Sequence, residues 1–189
     1  MLRRATVLAT SVLAAVATSS CSLGAGGGQQ SPQPAPPPAG NVDPALKVKS
    51  PKNIDGADAC RMLTPEQRTA LQIDGPPAPK KNEYGASGCE FVGDLTTVFV
   101  DVNTGHGGLS QIYSNKESFD NFAPAEVNGY PAAQINYSDA LCTISTGVAD
   151  TQAVEIYFAK NSAQSPEMND PCGYAKKISG EVLKNLPAA

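Results

Sequence analysis

The chain contains no tryptophan and a single histidine, His106. A Ser-His-Asp or Cys-His mechanism would therefore have to be built on one residue. Ser87 and Ser110 lie near glycines, yet neither completes Gly-x-Ser-x-Gly. The loop Gly105-His106-Gly107-Gly108 lacks the spacing of a phosphate or dinucleotide cradle. No two cysteines stand as Cys-x-x-Cys, which argues against a zinc site or a thioredoxin-like pair. Positive charge is scarce as well: 14 basic residues face 18 acidic ones, net −4. With no basic stripe, nucleic acid is an unsuitable partner. No pair of carboxylates is marked by its spacing, so no acid–base dyad is legible. Asp101, Asn103 and His106 are the one set close enough to suggest a metal, and a solvated loop histidine is the simpler reading. No catalytic, cofactor-binding or metal site is expected.

What is present starts at the first residue. Met1-Leu2-Arg3-Arg4 is a short basic start, Ala5 to Ala17 is apolar apart from small Thr and Ser, and Thr18-Ser19-Ser20 leads into Cys21. This is the order of a lipoprotein signal: residues 1–20 removed, and Cys21 carrying acyl chains such as palmitate on its thiol. Thr18 stands where a large apolar residue is usual; the competing reading is an ordinary cleaved secretory signal. The apolar run is too short for a bilayer core, which takes about 20 residues. Loss of Arg3 and Arg4 leaves 12 basic and 18 acidic side chains, net −6. Lys47, Lys49 and Lys52 lie close to the tether; weak contact with anionic lipid competes there with solubility, the simpler reading.

Five cysteines occur: Cys21, Cys60, Cys89, Cys142 and Cys172. An odd number in an exported chain needs an explanation. Lipidation of Cys21 leaves four, enough for two disulfides in an oxidising compartment.

Residues 22–50 are dominated by Gly, Gln, Pro and Ala, as in Gly26-Gly27-Gly28 and Pro36-Pro37-Pro38. Such a segment buries too little to offset the entropy of ordering, so 21–50 reads as a lipidated cysteine and a flexible tether spanning about 30 Å. Residues 51–189 then read as a single domain.

Within it, Asp58 caps a short helix through Leu63. Thr64-Pro65-Glu66-Gln67 carries an N-cap, a first-turn proline and a capping-box glutamine. Gly75 to Lys80 reads as a Pro-rich loop. Residues 89–92 and 97–102 read as a hairpin around Gly93-Asp94, and residues 103–108 as a glycine-rich loop. Leu109, Ile112, Tyr113 and Lys116 then fall at helical spacing. Asn128-Gly129 signals a type I′ hairpin turn. Residues 132–137, 141–145 and 153–158 read as strands. Asp170-Pro171-Cys172 opens a last helix with Ala175, Ile178, Val182, Leu183 and Leu186 on its apolar face. The expected fold is α+β: an antiparallel sheet with an N-terminal helical segment, a C-terminal helix and two disulfides. Most aromatics, including Tyr84, Phe91, Phe99, Tyr157 and Phe158, read as core.

Cys60 and Cys172 each follow an aspartate by two residues in the first turn of a capped helix, whereas Cys89 and Cys142 fall in strands. Each bond is therefore expected to staple a helix start to the sheet. Of three pairings, Cys60–Cys89 with Cys142–Cys172 is favoured. A redox role competes, since a helix N-terminus lowers a thiol pKa, but a redox pair is normally close in sequence.

These pieces together resemble an actinobacterial family of predicted lipoproteins of unknown function (domain of unknown function 3558). The resemblance rests on the lipobox and tether, on Ala59-Cys60-Arg61-Met62-Leu63-Thr64-Pro65-Glu66, and on Cys89 and Cys142 in strands. Gly129-Tyr130-Pro131-Ala132 and Asp170-Pro171-Cys172-Gly173-Tyr174-Ala175 complete it. Ala59 stands where the family prefers Pro, and Phe91 where it often has Trp. The resemblance implies an envelope lipoprotein and brings no catalytic residues. The expected function is a noncatalytic binding or interaction module, held by its lipid on the outer face of the cytoplasmic membrane, with an envelope protein or small molecule as ligand. A carrier of lipid or another apolar molecule is the alternative, and an envelope hydrolase using carboxylates a weaker one.

Overall fold

Val98, Val100 and Val102 alternate with Phe99, Asp101 and Asn103 along β3 (Thr96–Thr104). In an extended chain this period sends the two sets to opposite faces of the sheet. β7 (Gln152–Lys160) repeats the pattern with Val154, Ile156 and Phe158 against Ala153, Glu155 and Tyr157. The two pair antiparallel with Val100 opposite Ile156 and Asp101 opposite Glu155. These strands sit near the centre of one seven-stranded sheet of order β1-β2-β3-β7-β6-β5-β4, where β1 is Pro77–Lys81, β2 Ser87–Val92, β4 Phe122–Val127, β5 Tyr130–Ile135 and β6 Leu141–Ala149. Every neighbouring pair is antiparallel. The computed structural model describes residues 43–81, 85–104, 106–162 and 165–189.

Three expectations need correction. The Pro-rich stretch is partly strand: β1 pairs with β2, Pro77 opposite Phe91 and Pro79 opposite Cys89. Proline is compatible with an edge strand, and β1 is the outermost strand on its side of the sheet. Asn103 and Thr104 belong to β3, so the glycine-rich loop starts later than residue 103. The packed body also begins earlier than residue 51. Asp43 caps a 3-10 turn at Pro44–Leu46, and Leu46 and Val48 are 6% and 7% exposed. The tether boundary read from composition overlooked these two apolar side chains.

The β4–β5 turn follows its sequence signal. Asn128 and Gly129 take φ of 50° and 84°, both left-handed as a type I′ turn demands. α1 (Pro65–Ala70) has the full capping box, with Gln67 N donating to Thr64 Oγ1 and Thr64 N donating to Gln67 Oε1. α3 (Pro171–Asn185) is capped by Asp170, which accepts from Gly173 N at 2.9 Å.

α3 lies across β6 and β7 on the face carrying Val98, Val100, Ile144, Ile156 and Phe158, all fully buried. Ile178, Val182 and Leu183 fill that side. α1 is locked to α3 by Gln67 donating to Glu181 and by Tyr174 Oη donating to Leu71 O at 2.8 Å. The Cys60–Cys89 and Cys142–Cys172 bonds are both present and both join a helical turn to a strand on this core side. The opposite, outer face is covered at one end. There α2 (Gly108–Ser114) rests on β5 and β6, with Leu109 against Gly147 and a smaller cluster of Leu46, Leu109, Ala133 and Ile135.

Candidate functional site

Beyond α2, the outer face is a band of half-exposed side chains: Lys80 from β1, Glu90 from β2, Phe99 and Asp101 from β3, Glu155 and Tyr157 from β7. Register places them in two rows. One runs Gly88, Asp101, Glu155, Ser145 from β2 to β6; the other runs Glu90, Phe99, Tyr157, Thr143. The Phe99 and Tyr157 rings stack with centroids 4.9 Å apart. Lys80 Nζ lies 4.4 Å from the Phe99 centroid and pairs with Glu90.

Asp101 sits where only glycine leaves room: a Cβ at Gly88 would collide with its Oδ1. Burial pushes its carboxyl above the usual carboxylate range; nearby Lys80 opposes that rise and Glu90 adds to it. Three buried oxygens at or beside this row have no hydrogen-bond partner: Asp101 Oδ1, Asn103 Oδ1 and Ser145 Oγ. Ser145 is 0% exposed and Asn103 8%. Glu155 is engaged by a neighbouring group. Buried polar atoms in native proteins are normally satisfied, so three on one face mark an unusual place.

The core face offers the contrast. There Thr146 Oγ1 and Ser179 Oγ are 2.8 Å apart in a buried hydrogen bond between β6 and α3. Ser179→Ala should strand Thr146 and lower stability by about 1–2 kcal/mol. Ser145→Ala removes a hydroxyl that has no partner, and thermal melts should show its stability unchanged or raised. A loss at Ser145 equal to that at Ser179 would contradict the assignment of an unmet hydroxyl.

Of the residues singled out by sequence, the four domain cysteines are brought together as two structural bonds, with Cys89 and Cys142 wholly buried. Cys21, the signal and most of the tether lie outside the described residues, as does Tyr84. Asp101 and Asn103 share one face of β3, and His106 is exposed in the connection to α2. Among the described residues no group of three or more His, Cys, Asp or Glu is placed to hold a metal. Glu155, Ser145 and Tyr157 carried no sequence motif. For Glu155 and Tyr157 the signal was the alternation in 153–158, matched by that in 98–103, which puts acid, amide and aromatic side chains on one face; Ser145 lies in β6 and joins them only through its pairing with Glu155.

Three surface hollows of about 540, 410 and 310 Å³ flank the core side, at the start of α3, beside Asp58 and beside Lys177, and all are open to solvent. No helix among the described residues is long and apolar enough to cross a membrane.

Comparison with known proteins adds one finding. No curated protein and no solved structure matches the chain. A family model described as a protein of unknown function matches residues 16–185. That span takes in every strand and helix described above, and the chain belongs to this family, DUF3558.

Proposed function

We propose that the chain is a lipid-anchored, noncatalytic binding module of the cell envelope, and that it binds through the outer face of its sheet. The observation that carries the reading is the asymmetry between the two faces. The core face is filled by α3 and stapled by both disulfides. The outer face beyond α2 keeps stacked aromatics, carboxylates and buried oxygens without partners. A scaffold rigid on one side and chemically unsatisfied on the other suits recognition of a ligand.

The anchor rests on the signal ending at Cys21 and on the Gly/Pro-rich segment behind it. Cys21→Ala is expected to move the protein from the membrane fraction to the soluble fraction. Retention of an unprocessed variant in the membrane would mean that the signal itself is the anchor.

The binding reading is tested by capture with cross-linking in the native envelope. Wild-type chain is compared with a Phe99→Ala/Tyr157→Ala variant shown by circular dichroism to be folded. Capture specific to the wild type is expected; equal capture by both would refute the outer face as the binding surface.

A further inference from the structure

We propose that the hollow at the start of α3 binds a neutral polyhydroxyl compound of the sugar class, at a place separate from the outer face. The hollow has a volume of about 540 Å³, within the range of small-ligand sites. One wall is Gln134 of β5 with Tyr137 and Asp139 from the β5–β6 connection; the other is Asn169, Asp170 and Pro171 where α3 begins. Both walls are held from outside the hollow. Asn121 donates to Tyr137 O at 2.8 Å and accepts from Tyr137 N at 2.7 Å, and Ser138 N donates to Leu141 O at 2.8 Å. On the other wall Lys160 Nζ donates to Asn169 Oδ1 at 3.3 Å. The Cys142–Cys172 bond then ties β6 to α3. The shape exists before a ligand arrives, so binding carries little cost of ordering the protein.

The polar groups of the lining decide the ligand class. The Gln134 and Asp139 side chains make no hydrogen bond or ion pair among the described residues. Gln134 can both donate and accept, and the Asp139 carboxylate accepts only. Asn169 has its oxygen occupied by Lys160 and keeps its Nδ2 as a donor. Donors and acceptors thus stand together and open to solvent. Hydroxyl groups, each able to donate and accept, match such a mixture. An ammonium only donates and leaves the N–H groups of Gln134 and Asn169 unmatched. An anion is opposed by Asp139 and Asp170, because the lining contains no Lys, Arg or His. Asp170 is itself engaged as the α3 cap, accepting from Gly173 N. Tyr137 and Pro171 add apolar surface for the C–H groups of a sugar ring.

The test titrates detergent-solubilised full chain with the methyl glycosides of glucose, mannose and galactose. NMR follows the side-chain amide signals of Gln134 and Asn169 and the backbone signals of residues 137–139, with those of 99 and 157 as a control. At least one glycoside is expected to give saturable shifts in the hollow, with a dissociation constant of about 10 mM or tighter, and none at 99 or 157. Asp139→Ala and Gln134→Ala, each shown by circular dichroism to be folded, should weaken that binding about tenfold. Glucuronate, which adds a negative charge to the same ring, should bind more weakly than the glucoside. Glucuronate binding as tightly as the glucoside, shifts with ethanolamine hydrochloride but with no glycoside, or binding that both variants leave unchanged would each overturn the proposal. Silence from all three glycosides would overturn it too, while leaving the outer-face reading to the capture experiment.

Discussion

Replacing Cys142 and Cys172 together by alanine is expected to cost about 3–4 kcal/mol of stability, a fall of roughly 10 °C in melting temperature for a chain of this size. The bond closes a loop with a sequence separation of 30, and that loop contains all of β7 and the start of α3. Without it the unfolded chain gains freedom and α3 loses its tie to β6. What still holds the N-terminal half of α3 is the Asp170 cap, the Tyr174 hydroxyl on Leu71 O and the contact of the Phe158 and Tyr174 rings at 4.8 Å. Those contacts should keep the variant folded at low temperature. The Cys60–Cys89 bond closes a separate stretch with a separation of 29, so its removal should cost a similar amount and the two losses should nearly add. Urea unfolding of the two double variants and the quadruple variant checks this. A loss below about 1 kcal/mol at either bond would show that it does not act as a structural staple.

A chain shortened to begin at residue 51 is expected to be less stable than one beginning at Asp43 by about 2–4 kcal/mol. The difference is the burial of Leu46 and Val48, each worth about 1.5–3 kcal/mol before the cost of ordering the segment. Leu46 belongs to the cluster of Leu109, Ala133 and Ile135 beneath α2. Further along, Lys52 N donates to Val148 O at 2.8 Å and Lys52 pairs as an isolated bridge with Ala188, so the segment also ties the two ends of the folded body. A chain starting at Asp43 should melt with the full mature chain. Equal melting of all three would mean that the turn at Pro44–Leu46 contributes nothing.

The local grammar of the sequence was legible where a single residue type has a single structural use. Asp58, Thr64 and Asp170 cap as their side chains dictate, Asn128-Gly129 takes the left-handed turn that such a pair favours, and the helix-start cysteines meet the strand cysteines. Where two principles compete, composition misled. The prolines at 77 and 79 signal a loop, yet an edge strand accepts them. Leu46 and Val48 are two apolar residues among polar neighbours, and only the tertiary structure says that they are buried. The proposed outer-face site was hidden for another reason. Alternation shows which residues of 98–103 share a face, but Asp101 meets Glu155 only through the long-range pairing of β3 with β7. Such pairing is set by the whole topology and carries no local mark.

The prolines at the rims of the sheet have a further effect. β1 and β4 are the two outermost strands, and they contain Pro77 and Pro79 on one side and Pro124 on the other. Proline has no N–H to donate, and native sheets use it on edge strands to discourage docking by a foreign strand. Copies of this domain crowded side by side are thereby kept from zipping into a continuous ribbon. Concentration at a surface, which favours aggregation of open-edged sheets, should leave these domains as separate bodies, and a peptide that adds as an extra strand should find neither rim receptive.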